Sequence, residues 1–244
     1  MFSSLYRKSD IRIADDDIAN FVKIRYSKRA RKMSLKVDAH SGYVVLTIPN
    51  KGNPIRALEF VQSHKAWILD RVSNLPSPVA FNDGTIIPLL GTDIEIVFCP
   101  HDKKRTHIEL IDSELRVHTN LEDPSLRIKR WLKEFAREQL NAKANDKLSL
   151  LPDDRKIESI AIRDTRSRWG SCSDDGRLSF SWRLIFAPAE AFDYVVAHEV
   201  AHLIHMNHSK NFWSLCASLC DDYKMGREWM DKNGNSLMRF GQSN

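Results

Sequence analysis

Residues 197–208 read Ala197-His198-Glu199-Val200-Ala201-His202-Leu203-Ile204-His205-Met206-Asn207-His208, which sets four imidazoles and a carboxylate within a few helical turns. On an α-helix, residues four apart differ by about 40° around the axis and about 6 Å along it, so His198 and His202 project side by side and can pinch one ion. This is the H-E-x-x-H pattern. Two neutral imidazoles hold zinc, and the carboxylate takes a proton from the water that the metal activates. The pattern demands a helix that buries one side and leaves the metal side open. Phe192, Val196, Val200 and Leu203 meet that demand, falling within about 80° of one another on a face turned away from both histidines. Pro188 suits a first turn, Glu190 suits the positive helix end, and Asn207 is expected to adopt the left-handed conformation that ends the helix.

A third ligand is needed, and two histidines compete for the place. His208 would lie just beyond the helix stop, free to swing back toward the ion. His205 shares the face of His198 and His202, but its Cα would lie roughly 7 to 8 Å along the axis from an ion centred between them. A straight helix does not easily deliver three rings to one tetrahedral ion, which favours His208 and leaves His205 as the rival. The expected load is one Zn2+ per chain. A structural zinc site is usually closed by four protein ligands, whereas three leave a position for water.

The chain has 244 residues with 42% hydrophobic content, enough for a buried core. Its first residues, Met1 to Lys8, reach charge before any apolar stretch, and no run approaches the 18 residues of a membrane span. No membrane role is expected, and the cytoplasm is the expected location. Cys99, Cys172, Cys216 and Cys220 show no C-x-x-C pairing and read as reduced thiols. A Cys172 nucleophile is the weaker chemistry, since a thiol gives no reason for the glutamate inside H-E-x-x-H.

The net charge of +5 is modest but unevenly spread. Lys23, Arg25, Lys28, Arg29, Arg31, Lys32 and Lys36 fall within fourteen residues with no acid among them. Such a segment attracts anionic partners, nucleic acid or nucleotides, unless it is only a solvated strand face with Asp15, Asp16 and Asp17 neutralising part of it.

Periodicity predicts a small β-rich region first, with strands broken at Ser27-Lys28-Arg29 and Ser41-Gly42, then a helix from Asn53-Pro54 to about Asn74, ended by Pro76 and Pro78. Strand character returns over residues 85–118; His101, His107 and His118 lie there without ligand spacing. A helix runs from Asp123-Pro124 to about Leu150, and its start is the expected seam between an N-terminal region, 1–122, and a metal-binding domain, 123–244. After it, Ile157, Ile160 and Ile162 predict one strand. Leu178, Phe180, Trp182, Leu184 and Phe186 alternate with Ser179, Ser181 and Arg183 and predict a second, which leads into the metal helix. Asp175-Gly176 marks the turn between them. Ser209 is placed to cap a helix that buries Phe212, Leu215, Cys216 and Leu219, and a shorter helix is expected over Met225 to Met230, broken at Asn233-Gly234.

Arg168-Trp169-Gly170-Ser171-Cys172-Ser173, Trp182-Arg183-Leu184-Ile185 and His198-Glu199-x-x-His202-x5-His208-Ser209-x-x-Phe212-Trp213 follow one another in this order. Together they resemble the YgjP-like metallopeptidase family, most strongly over residues 157–222 and more weakly at Ser27-Lys28-Arg29-Ala30-Arg31. That family is similar to the SprT and WLM groups of zincin-like proteases. The resemblance implies an α+β fold, a zincin-like domain with a sheet flanked by helices and zinc between the H-E-x-x-H helix and a following histidine. Where metzincins carry glycine three residues after the second histidine, this chain has His205, which argues against a metzincin.

The expected function is a zinc-dependent hydrolase, a metallopeptidase first, with His198, His202 and His208 on the metal and Glu199 as general base. Arg168, Trp169 and Ser171 are candidates for a substrate loop, with Arg163 or Arg166 also able to meet negative charge; the competing reading is a structural hairpin tip with Trp169 packed inward. Two alternatives stand beside it: a metal-dependent nucleotide pyrophosphatase, and a nucleic-acid or partner-binding module with structural zinc.

Overall fold

A computed structural model describes residues 13, 15–38, 42–74, 77–102, 105–152, 154–165 and 168–241. Ser41, Pro76, Arg166 and the stretch Met1 to Lys8 therefore lie outside the described residues. The fold is mixed α and β, divided into two compact units, Met1–Ser77 and Pro78–Asn244. Among the described residues no helix is long and apolar enough to cross a membrane.

The first unit runs α1 (Asp16–Ala19), β1 (Val22–Ser27), β2 (Ser34–Asp38), β3 (Tyr43–Pro49), α2 (Pro54–Ser63) and α3 (Lys65–Ser73). The strands form a sheet in the order β1-β3-β2, with β1 parallel and β2 antiparallel to β3. Val22, Val44, Leu46 and Ile48 share a small core with Ala57, Val61 and Ile68 of the helices. Asn53 caps α2 as its sequence asks, its Oδ1 accepting from the Ile55 and Arg56 amides, with Pro54 in the first turn. The single helix expected up to Asn74 is instead broken at His64. There the ring Nδ1 bonds the Phe60 carbonyl at 2.8 Å, the acceptor an α-helix would give to the His64 amide, and the amide turns to Val61 instead.

The second unit begins with β4 (Ile86–Leu89), β5 (Thr92–Pro100), β6 (His107–Ile111) and β7 (Glu114–Thr119), a sheet in the order β4-β5-β7-β6. His107 and His118 face each other across β6 and β7, with Glu109 reaching both, at 3.5 and 3.0 Å. The long α4 (Ser125–Leu148) lays Ile128, Leu132, Ala136, Leu140 and Ala144 into the core at four-residue steps. Each large aliphatic side chain so buried contributes about 1.5–3 kcal/mol. The seam expected at 122/123 is corrected here, because Ile87, Ile96, Leu115 and Val117 share one core with α4 and the metal-site elements. A sheet whose buried face packs on that core is part of the same unit, which starts at Pro78.

The remaining elements are β8 (Ser159–Arg163), β9 (Gly170–Cys172), β10 (Arg177–Ser181), α5 (Ala189–Ala201), α6 (Lys210–Ser218) and α7 (Tyr223–Asn233). The strand order is β8-β10-β9, with β10 parallel to β8 and antiparallel to β9, and the Asp175-Gly176 turn falls as expected, Gly176 taking φ +79°. The strand expected to reach Phe186 stops at Ser181, and Trp182–Phe186 coil into a 3-10 helix whose residues are all buried. Alternation misled because Arg183 is not on a wet face. Its Nε donates to the Phe240 carbonyl at 3.0 Å, its guanidinium bonds Asp164, and it stacks on Trp182. Burial alone would raise the Asp164 carboxyl, but Arg183, with Lys129 and Lys133 near, holds it down at about 2.

Candidate metal centre

The α5 helix starts after Pro188 and buries Phe192, Val196 and Val200 in the core, so the predicted apolar face is the one that anchors it. It does not continue to Asn207. The last helical residue is Ala201, and His202 is the cap, after which the chain turns through Leu203 and Ile204. Asn207 is not in the left-handed region; its Oδ1 accepts from the Ser209 amide at 3.3 Å, in the local side-chain turn asparagine favours. Ser209 then caps α6, Oγ accepting from the Phe212 amide at 3.4 Å.

Because the helix stops inside the motif, His208 comes back over it. Its Nε2 lies 3.1 Å from Nε2 of His198, and ligand atoms of His198, His202 and His208 all lie within 4.8 Å of one another. His205 is not in this group. Its carbonyl accepts from Nδ1–H of His202 at 2.9 Å, which orients that ring and leaves Nε2 as the free donor atom. Phe212 and Trp213 of α6 pack on the rings, His202 to Phe212 at 4.5 Å between centroids and His208 to Trp213 at 5.4 Å. Tyr194, one helical turn before His198 and 5.9 Å from its ring, also borders the site. Sequence reading passed it over, although the spacing of four was its signal.

Burial, with the neighbouring histidines and Arg227, lowers the His198 pKa to about 4, and burial with His208 lowers that of His202. Both rings are then neutral at physiological pH, the form that donates a lone pair to a metal. Three convergent imidazoles are a donor set that fits zinc.

Glu199 is 6% exposed, and burial raises its pKa to about 8 against the opposing pull of Arg168. What lies against it is β9. A Cβ on Gly170 would sit 2.5 Å from Glu199 Cγ and Oε1, so only glycine lets the strand pass this close. Glycine serves a second close approach at Gly226, where a Cβ would fall 2.3 Å from the Glu190 carbonyl oxygen and hold α7 off α5.

Of the substrate-loop candidates, Trp169 is partly buried on the core, its indole beside Gly234, while Arg168 is exposed. Ser171 pairs with Ser179 and, with Arg168 and Asp164, lines a cleft of about 390 Å³ that none of the three imidazoles lines. Arg163 lines that cleft too. Cys172 is a poor nucleophile, since burial and the charge of Glu199 push its thiol up to about 11.

Three imidazoles at ligand separation, set around the end of one helix with a buried carboxylate and a strand alongside, are the make-up of a metallopeptidase domain. The YgjP-like metallopeptidase domain matches residues 31–233, and the chain belongs to that family. No curated protein and no solved structure gives a match. At the level of the family, then, this is a metallopeptidase domain, of a kind that works with a metal, usually zinc.

Proposed function

We propose that the chain is a zinc peptidase in which His198, His202 and His208 hold the ion and Glu199 is the general base. The convergence of the three imidazoles beside a buried Glu199 supports this reading most directly. Bound zinc would supply Lewis acidity, making water more acidic and polarising the carbonyl under attack. Glu199 accepts the proton of the attacking water and returns it to the leaving amine. Neutral His198 and His202 keep their lone pairs for the metal, and the His205 carbonyl keeps the His202 ring in place.

The edge of β9 favours a peptide as the substrate. Ser181 N–H donates to the Trp169 carbonyl and Ser173 N–H to the Arg177 carbonyl, so residues 169, 171 and 173 face β10. Alternation of the ladder then turns the N–H and C=O groups of Gly170 and Cys172 outward, and among the described residues no strand pairs with that edge. An extended peptide can pair there, next to Glu199.

The test is the zinc-loaded full chain against a peptide library and a nucleotide panel, each repeated with Glu199→Gln. Peptide cleavage that depends on Glu199 supports the reading. Nucleotide hydrolysis without peptide cleavage overturns the substrate class, and no Glu199-dependent hydrolysis of either leaves zinc as a structural ion.

Gly170→Ala provides an independent check on the strand. The added Cβ must push Glu199 aside or lift β9, and a displacement of about 1 Å at a catalytic group costs on the order of 10²-fold in turnover. Zinc content is expected to stay at the wild-type level, since the three atoms nearest to the added Cβ all belong to Glu199 and none to a histidine of the group. Wild-type turnover in Gly170→Ala would show that the position of Glu199 against β9 does not matter.

A further inference from the structure

The β1-β3-β2 sheet supplies none of the three metal-site histidines, and the chemistry of its outer face is of another kind. Residues 1–77 hold fourteen Lys and Arg against seven Asp and Glu, while residues 78–244 hold twenty-three against twenty-five. The excess positive charge of the chain therefore belongs to the first unit. Strand register says where it is displayed. Val22, Val44, Leu46, Leu35 and Val37 turn toward α2 and α3, so their neighbours in sequence turn the other way. Across that outer face, Lys23, Val45 and Lys36 form one row, and Arg25, Thr47 and Ser34 the next. Phe21 and Tyr43 stand at one end, Phe21 37% exposed and Lys23 Nζ lying 3.6 Å from the centre of the Tyr43 ring. At the other end the chain from β1 to β2 carries Lys28, Arg29, Arg31 and Lys32 past the last residues of β3, all four exposed.

Two of the acids that could neutralise this surface are engaged elsewhere, while Asp38 stands on it beside Tyr43. Asp15 and Asp17 both bond Lys65 of α3, at 2.9 and 2.6 Å. Among the described residues none of Lys23, Arg25, Lys28, Arg29, Arg31, Lys32 or Lys36 is ion-paired. Arg25 donates to the Thr47 hydroxyl at 3.1 Å and keeps its charge uncompensated.

We infer that this face binds single-stranded RNA. A three-stranded sheet with aromatic rings at one end and rows of cations beyond them matches a strand whose bases stack and whose phosphates run on over the lysines and arginines. A duplex hides its bases and meets such a face with phosphates alone. Asp38, beside Tyr43 in register, is a carboxylate able to accept several hydrogen bonds at once, so one partner does not exhaust it: a DNA backbone brings it only acceptors, whereas each ribose of RNA brings a hydroxyl that can donate. The inference is independent of the zinc chemistry.

The probe is a fluorescent oligouridylate of about 12 nucleotides, titrated with the full chain at several salt concentrations and compared with oligodeoxyuridylate, duplex RNA and anionic phosphatidylserine vesicles. RNA is expected to bind tightest, and its affinity to fall as salt rises. Lys23→Gln with Arg25→Gln and Lys36→Gln should weaken binding at least about tenfold and flatten the salt dependence. Tyr43→Leu should weaken it about 5- to 100-fold while leaving the salt slope unchanged, the mark of a lost stacking contact. The control carries the same charge change on exposed residues of the two helices of the same unit, Arg56→Gln with Arg71→Glu, and should bind as the wild type does. Thermal unfolding of each variant confirms that it is folded. Equal loss in the control and the face variant would reduce the effect to net charge and overturn the site. Equal binding of the two oligonucleotides would overturn the choice of RNA. Preference for vesicles, or no binding of RNA at all, would overturn the inference as a whole.

Discussion

Glu199→Gln is expected to lower peptide turnover by about 10²- to 10⁴-fold, the usual range for one general base, with zinc content and thermal unfolding unchanged. The amide has the size and shape of the carboxylate, so it fills the same space between α5 and β9 where a Cβ on Gly170 would already collide. What it lacks is a basic oxygen. Burial, which raises the Glu199 pKa to about 8, also makes the neutral amide easy to accommodate, so loss of fold is not expected. If zinc were only structural, no hydrolysis would depend on this position. Equal turnover of the two proteins at equal zinc occupancy would sink the assignment of Glu199 as base.

The second large effect is on the metal itself. The wild type is expected to bind about one zinc ion per chain, and His198→Ala, His202→Ala and His208→Ala each to fall well below that, because three donors are the fewest that hold such an ion while leaving a position open. His205→Ala is expected to keep it. The group that His205 offers the site is its backbone carbonyl, which receives Nδ1–H of His202, and alanine has the same carbonyl. Metal analysis after dialysis against a weak chelator reads the difference. Should His205→Ala empty the site while His208→Ala does not, the third ligand has been assigned to the wrong residue.

How much of this was legible depended on whether the cause was local. The H-E-x-x-H spacing, the apolar stripe of α5, the Asn53-Pro54 start of α2 and the Ser209 cap of α6 are all written within a few residues and could be read directly. The helix break at His64 could not, because it turns on a ring competing for one carbonyl in a segment whose periodicity runs straight through. Nor could the end of β10 at Ser181, where Arg183 looks polar and outward until Asp164 and the Phe240 carbonyl are found around it. The unit boundary at 77/78 was hidden for a related reason: the strands of residues 86–119 look self-contained, and only their buried face shows that they belong with α4. Gly170 stood in a motif that drew notice for its tryptophan and serine. That its missing Cβ makes room for Glu199, 29 residues on, is a fact of tertiary structure alone.

Residues 239–241 serve as a clasp. Val79 N–H donates to the Arg239 carbonyl, Arg183 to that of Phe240, and Lys129 to that of Gly241 at 2.8 Å. Trimming the chain before residue 239 would therefore do more than remove a few apolar contacts: it would take one carbonyl acceptor from each of two cations, one of them fully buried, and leave Asp164 to serve both. A shortened chain meant to keep this unit intact must therefore retain residues 239–241.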